Sequence, residues 1–448
     1  MQLTIEKLIY GGEGLARLPA DDRGPGKAVF VPFVLPGERV EATLREQKPS
    51  FARAHADRIL EASPRRIQPR CPYFQSCGGC HYQHASYEHQ LEIKTAILRE
   101  NLRRIAKIEL DTEVKIHPSP PWNYRNRTRL QVQGAPEFAL GYFRFNSHEL
   151  LPVEECPISS PLINRAIGAT WKLGREGRVP SAVREIELFA NADDTKLLAE
   201  VYCAGEITNA AEEFAAELKN AVAEIVGSVF VEGPASKAGR DSDPPRLGVS
   251  GDDNLTYDTK LASYRVSAGA FFQVNRHLTD ELVNIVAGTG RGSGRDADWI
   301  AGGDAGATGT ALDLYAGVGL FSSVLNREFE RVIAVEPSPT SHADLLYNSP
   351  ANVKAVRATT EQYLENAAGK LRPELVIVDP PRSGLGEKVI RGLVKLNAPR
   401  IIYVSCDPAT LSRDLGRMLP SGYRLEEAHL VDLFPQTYHL ESVFHLVR

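Results

Sequence analysis

The chain has 448 residues, 43% hydrophobic and 24% charged, with a net charge of −5, a length that allows about three domains. No apolar run reaches the length of a membrane span, the first residues lack the basic and apolar regions of a signal peptide, and the acidic balance excludes a protein that coats nucleic acid over its whole surface. A cytoplasmic protein is expected, and there six cysteines, three of them within ten residues, point to a metal rather than to disulfides.

Residues 1 to about 60 alternate apolar and polar side chains in short runs broken by glycine and proline, the pattern of a small β-barrel of the oligonucleotide-binding kind. The stretch 44–70 carries seven Lys or Arg against three acids, interleaved with Phe51 and His55. Then comes CPYFQSCGGC (71–80), a C-x5-C-x2-C cluster, with Cys156 in EECPI as a candidate fourth ligand. Four thiolates suit an iron–sulfur cluster or structural zinc, and ligand softness does not separate the two.

Residues 87–107 read as a helix with Ser86 as N-cap and with Leu91, Leu98, Leu102 and Ile105 on one face. WNYRNRTRLQ (122–131) sets three arginines among aromatic side chains, a composition that meets phosphates and stacks on unpaired bases, though it also describes a solvated face. From 125 to 232 strand-like and helix-like segments mix, an α+β texture in which the solitary Cys203 reads as core. Two stretches, 233–246 and the glycine-rich 288–309, have compositions expected of mobile excursions.

Beyond residue 310 short apolar runs (TALDLY, RVIAVE, ELVIVDPP, RIIYVSC) alternate with helix-length segments. That alternation predicts a parallel sheet covered on both faces, with ligands beyond the carboxyl ends of its strands. In ALDLYAGVGLFSS (311–323) a strand ending near Asp313 runs into Gly317 and Gly319, and Glu336 ends the next strand where an acid can accept from ribose hydroxyls. A dinucleotide fingerprint would carry a third glycine at 322. Ser322 stands there, which points to a nucleoside cofactor without pyrophosphate, of which S-adenosyl-L-methionine is the usual one.

Three further strand ends deliver VDPPRSG (378–384), VSCDPAT (404–410) and LFPQTYHLESV (433–443). Singly, Cys406 reads as a small buried hydrophobe, Asp379 as a turn residue and Glu441 as a surface charge. Together beside a cofactor loop they suit a reaction that needs a thiolate, a methyl donor and a base. Carbon 5 of uracil is such a case. Addition of Cys406 to carbon 6 would make carbon 5 nucleophilic, and Glu441 would remove its proton after methyl transfer from a base that is unpaired or flipped out.

At these residues the chain closely resembles the S-adenosylmethionine-dependent RNA (uracil-5-)-methyltransferase family, in the branch with a TRAM domain and an iron–sulfur cluster. The match covers nearly the whole length, through CPYFQSCGGCHYQHASYEHQ, YRNRTRLQV, GYFRFNSHELLPVEECPI, FFQVN, DLYAGVGLFS, VDPPRSGLG, VSCDPATLSRDL and FPQTYHLESV. The resemblance implies a [4Fe-4S] cluster on Cys71, Cys77, Cys80 and Cys156, a cofactor pocket lined by Gln273, Tyr315, Gly317, Glu336 and Asp379, Cys406 as nucleophile and Glu441 as general base. It implies a multidomain chain: a TRAM oligonucleotide-binding-like barrel over 1–62, a central α+β iron–sulfur domain over 63–90 and 118–265, and a Rossmann-like class I methyltransferase domain over 91–117 and 266–448. The implied partner is RNA, with 23S ribosomal RNA favoured over tRNA; no membrane is involved, and a monomer is expected.

The chain departs from the family pattern at Thr359, where an acid or amide usually meets adenine, and in the length of 288–309. Three rival readings are weaker. An adenine amino-methyltransferase wants an aromatic residue where Arg382 follows the prolines, a radical enzyme wants C-x3-C-x2-C, and a catalytically inactive RNA-binding or assembly factor would not need both Cys406 and Glu441.

Overall fold

The computed structural model describes all residues except 20–25, 135, 206–208, 234–243, 289–308 and 368. Most of the two glycine-rich or polar excursions expected from composition thus lies outside the described residues. Strands β1 (Gln2–Thr4), β2 (Lys7–Leu8), β3 (Glu13–Arg17), β4 (Ala28–Pro32), β5 (Arg39–Gln47) and β6 (Phe51–Glu61) form one sheet in the order β1-β5-β6-β4-β3-β2. Period-two alternation turns Leu3, Val29, Val31, Val40, Ala42, Ala52 and Ala54 into its interior.

Helix α1 (Tyr87–Asn101) starts at Ser86, whose hydroxyl accepts from the His89 N–H at 3.4 Å, and ends in a π turn over Leu102–Ala106. Its buried face is not the expected one. Gln90, Ile93, Lys94, Ile97, Leu98 and Leu102 are buried, Leu91 only partly so, and Ile105 is 46% exposed. The wide π turn rotates Ile105 away, and polar Gln90 and Lys94 go inward because buried partners await them.

After β7 (Val114–His117) the chain builds a second sheet from β8 (Arg127–Gln133), β9 (Ala139–Phe143), β10 (Leu150–Pro152), β11 (Val183–Ala190), β12 (Leu197–Cys203), β13 (Ile225–Glu232) and β14 (Arg246–Gly251), ordered β10-β9-β8-β11-β12-β13-β14. Helices α2 (Pro161–Arg175) and α3 (Asn209–Ala221) pack on it, and Cys203 is buried in the shared core. Two of the three arginines read as candidate phosphate contacts belong to this sheet. Arg127 and Arg129 lie 3.0 and 2.6 Å from the carboxylate of Glu187, which stands opposite Arg129 across β8 and β11. One carboxylate thus ties down both guanidiniums across the sheet.

Strands β15 (Asn254–Asp258) and β16 (Ser263–Ser267) and helix α4 (Thr279–Ala287) lead to the largest sheet. It is built from β17 (Thr310–Leu314), β18 (Arg331–Val335), β19 (Val353–Val356), β20 (Leu375–Val378), β21 (Arg400–Ser405), β22 (Arg424–Val431) and β23 (Glu441–Val447), with β7 at its far edge, in the order β19-β18-β17-β20-β21-β23-β22-β7. β23 runs antiparallel to both neighbours, and the other pairs are parallel. Leu375 and Ile377 face a core shared with α4, while Val376 and Val378 face one shared with α1, α8 (Gly386–Leu396) and α9 (Pro408–Met418). Both faces are therefore covered, each buried aliphatic side chain contributing about 1.5–3 kcal/mol. The strand order reverses between β17 and β20, which opens the crevice where such sheets bind ligands.

Candidate active site

The turn from β17 into the short α5 (Ser322–Leu325) is shaped by left-handed residues: Tyr315, Gly317 and Gly319 have φ of 67°, 56° and 95°. A side chain at Gly319 would come within 2.9 Å of Leu345, whereas one at Gly317 would meet nothing within 4 Å, so Gly317 borders open space. The Gly317 N–H donates to Glu336 Oε2 at 3.0 Å and the Ser338 N–H to Glu336 Oε1 at 2.8 Å. Glu336 is thereby held at the end of β18 beside the glycine turn. Ser322, the residue in place of a third glycine, donates its hydroxyl to Asp313 Oδ2. Asp313 is wholly buried and its Oδ1 has no hydrogen-bond partner among the described residues. Burial pushes its carboxyl up to about 7, against the Ser322 hydrogen bonds and with the help of Glu336.

Gln273 is buried just beyond β16. Thr359 is an N-terminal cap: its hydroxyl accepts from the Gln362 N–H at 3.3 Å while Gln362 Oε1 accepts from the Thr359 N–H at 3.1 Å, at the start of α7 (Thr360–Ala367).

Cys406 follows β21 directly, and Asp407 then caps α9, accepting from the Ala409 and Thr410 N–H groups at 2.9 Å each with Pro408 at the first helical position. The strand-to-cap transition fixes the thiol at the sheet's carboxyl edge. Because β23 is antiparallel, its first residue lies at that same edge, and the Ser405–Ser442 register sets Glu441 beside Cys406. Asp379, one residue past β20, completes the group.

These acids burden one another. Burial, Glu441 and Asp379 push the Cys406 thiol up to about 12, with Arg382 opposing. Burial and then Asp379 raise Glu441 well above the carboxylate range, again with Arg382 opposing, and burial with Asp313 pushes Asp379 up to about 7. Arg382 is exposed, its Nη2 3.2 Å from His439 Nδ1, and burial followed by Arg382 pushes His439 down to about 3. The edge is thus an acidic cluster faced by the Arg382 guanidinium. A cationic, amine-bearing ligand suits it, and the unpartnered Asp313 oxygen and the open side of Gly317 fit a nucleoside carrying a sulfonium.

Sequence reasoning missed Tyr10. This residue of the N-terminal sheet donates its hydroxyl to the Cys406 carbonyl at 3.1 Å, and its ring meets Tyr438 edge-on at 5.5 Å. Nothing in the local sequence of IYGG marks such a contact across 396 positions.

None of the six cysteines is in a disulfide. Burial, and after it the neighbouring cysteines, push the Cys71, Cys77 and Cys80 thiols up, Cys77 to about 11 and buried Cys80 higher. Cys80 packs with Tyr124 and Ile158, and Phe74, Trp122 and Cys156 flank them. Gln83 accepts from the Cys71 N–H at 3.1 Å, and its buried side-chain nitrogen, without a partner of normal geometry, faces the Cys71 and Cys80 thiols. Four neighbouring thiols with a spare donor in an apolar surround are the donor set of a thiophilic metal centre, though among the described residues their sulfurs are not drawn together as a ligand group.

The cysteine loop is also wired to the edge that carries Cys406 and Glu441. The N–H groups of His81 and Tyr82 donate to the Gln436 carbonyl at 2.8 and 2.9 Å. Gln90 exchanges two hydrogen bonds with Gln436, and Lys94 meets Asp432 Oδ1 at 2.6 Å and the Phe434 carbonyl at 2.9 Å. The inward polar residues of α1 thus hold the segment that ends in Glu441.

Residues 86–448 match the family model described as tRNA (uracil-5-)-methyltransferase, and residues 1–56 match that of the TRAM domain. The chain is 34% identical over 450 residues to an uncharacterized RNA methyltransferase of Aquifex aeolicus, covering 99% of this chain and 97% of the relative. It is 31% identical over 460 residues to another from Caldanaerobacter subterraneus subsp. tengcongensis, covering 99% and 96%. A crystal structure of Pyrococcus abyssi tRNA (uracil-54, C5)-methyltransferase in complex with S-adenosyl-L-homocysteine matches the fold over the full length of both chains, with a TM-score of 0.74 at 22% identity.

Proposed function

The chain belongs to the tRNA (uracil-5-)-methyltransferase family of RNA methyltransferases, with a TRAM domain ahead of a class I methyltransferase fold, and from that premise we propose that it methylates carbon 5 of a uridine in RNA through a covalent bond from Cys406 to carbon 6. The observation that carries the reading is the meeting of Cys406 and Glu441 at one sheet edge, opposite the Gly317–Glu336 turn. Cys406 attacks as thiolate, forming the S–C6 bond and moving the ring electrons toward carbon 5 and oxygen 4. S-adenosyl-L-methionine, when bound, supplies an electrophilic methyl group and a cationic sulfonium that offsets the acidic field. Glu441 then takes the carbon 5 proton, the C5–C6 double bond re-forms, and the S–C6 bond breaks to return the thiolate. The single net proton passes from Glu441 to solvent. Tyr315, Gly317, Glu336, Asp379 and Gln273 are the residues that would hold the cofactor, with Glu336 the acid that would accept from ribose hydroxyls.

The thiols of Cys71, Cys77, Cys80 and Cys156 are assigned to a [4Fe-4S] cluster, which when bound supplies iron–thiolate bonds tying the 71–80 loop to Cys156 in a central iron–sulfur domain. Large-subunit ribosomal RNA in the cytoplasm is the target favoured by that thiol set. The likeness to the Pyrococcus abyssi tRNA enzyme supports tRNA as the second reading. Among the described residues no helix is long and apolar enough to cross a membrane.

The test supplies RNA tritiated at carbon 5 of uridine together with S-adenosylmethionine. Wild type should release tritium and form a stable adduct with 5-fluorouridine RNA, and Cys406→Ala should do neither. Tritium release undiminished in Cys406→Ala would refute the adduct. Mapping 5-methyluridine in ribosomal and transfer RNA from cells lacking the protein decides between the targets.

A further inference from the structure

Midway along β22 and β23, level with Ile402 and Val404 of β21, lies a histidine-rich group that the methylation chemistry does not use. Glu427 of β22 pairs directly with His445 of β23, and His429 lies two residues along β22, so alternation puts all three side chains on one face. One ligand atom from each lies within 4.8 Å of the others. His429 Nε2 is 3.0 Å and His445 Nδ1 3.7 Å from Glu427 Oε2, either side of the ~3.3 Å edge of a tetrahedron with bonds of about 2.0–2.1 Å. Both rings are buried, and burial holds both below the usual histidine range, so they stand neutral; His429 donates Nε2–H to Glu427 without a cation and would carry its proton on Nδ1 with one. Glu427 is held below the carboxylate range despite its burial, chiefly by hydrogen bonds from Lys115 and His429, so it is anionic.

The surroundings orient the rings as ligands. His429 Nδ1 is 2.9 Å from His117 Nε2, and His117 Nδ1 is 2.7 Å from Glu281 Oε1. If His429 Nε2 gives its lone pair to a cation, its Nδ1–H donates to His117, whose Nδ1–H in turn donates to Glu281; the relay then has every proton placed. Such carboxylate–histidine support is what metal-binding imidazoles require. His445 Nε2 is buried without a hydrogen-bond partner among the described residues. A cavity of about 400 Å³ opens beside the three side chains, bordered by Asn284, Ile285 and Arg400, and leaves room for a water as fourth ligand. Lys115, whose ammonium lies 2.9 Å from Glu427, is half exposed and free to swing into solvent.

We propose that Glu427, His429 and His445 form a binding site for one divalent transition-metal ion of the zinc class, oriented by His117 and Glu281. Nitrogen and carboxylate donors separate it from the four-thiol centre. A cation here would pin β22 and β23 together midway along their length, beside β7.

Titration of the full-length protein with Co²⁺ tests this, because cobalt reports its ligands by absorption. The expected result is a tetrahedral ligand-field spectrum saturating at one equivalent, without thiolate charge-transfer intensity, displaced by Zn²⁺. Cobalt taken up by the cysteines carries that charge-transfer band and is scored apart. Glu427→Gln and His445→Gln should lose this equivalent, and His117→Gln should weaken it by about tenfold or more while the melting temperature without metal stays near wild type. Absence of the thiolate-free spectrum in wild type, or its persistence at unchanged midpoint in both ligand variants, overturns the proposal. Should the ligand variants fail to fold, an unchanged midpoint in His117→Gln overturns it as well.

Discussion

Asp313 shows how the site sets function against stability. Its carboxyl is buried with one oxygen unpartnered, and its pKa rises to about 7. An acid whose folded pKa exceeds its unfolded value of about 3.9 binds its proton more tightly when folded. Its contribution therefore favours the folded state at low pH and is lost as pH rises through 7. Above that pH the ionised group strains the fold until a cation enters the pocket. Asp313→Asn should raise stability of the ligand-free protein by about 2–4 kcal/mol at pH 8 and leave it unchanged near pH 4, measured by denaturant titration. A variant less stable than wild type at pH 8 would contradict the account. The same residue explains Ser322: where a dinucleotide turn would need glycine, a hydroxyl is kept to donate to the buried acid.

Helix α1 is the element whose role differs most from its sequence pattern. Lys94 reads as a surface base of an amphipathic helix, yet it is fully buried against Asp432 and the Phe434 carbonyl. Removing one partner of such a pair leaves the other charge buried alone. Lys94→Met should cost about 3–5 kcal/mol, and Lys94→Met with Asp432→Asn should recover part of it. Equal stability of Lys94→Met and wild type by chemical denaturation would show that the pair carries no such weight. The neighbouring cysteine loop makes its own prediction: protein purified without oxygen should contain about four irons per chain and absorb broadly in the visible. Stoichiometric zinc without iron would reject the cluster. Because His81 and Tyr82 in this loop hold Gln436, loss of metal there should loosen the segment leading to Glu441.

On the scale of the whole molecule the thiol is supported from the N-terminal sheet as well as from its own. Tyr10 reaches the Cys406 carbonyl, and a chain of rings continues through Tyr438 to His81 in the cysteine loop. Three regions far apart in sequence therefore share one brace around Cys406. A hydrogen bond of this kind is worth about 1 kcal/mol, so Tyr10→Phe should lower the methylation rate roughly fivefold with little change in melting temperature. An unchanged rate would confine the N-terminal sheet to RNA binding. Its exposed basic residues remain suited to that task. Arg53 and Arg58 face carboxylates only across half-exposed, weak ion pairs, whereas Arg66 is committed to buried Glu38 at 2.6 and 2.7 Å.

The sequence by itself determined the kind of sheet, and it marked the residues proposed for the chemistry at that sheet's edge. Strands buried on both faces leave unbroken apolar runs, and glycines at a strand end, an acid after the next strand and a cysteine before Asp-Pro are local signals. Which polar side chains turn inward was decided only by the tertiary structure. Arg127 and Arg129 meet Glu187 across a sheet, Lys94 meets Asp432 from 338 residues away, and Tyr10 meets Cys406 from 396. Periodicity measures hydrophobicity along one segment, while the burial of a charge depends on a partner supplied by another.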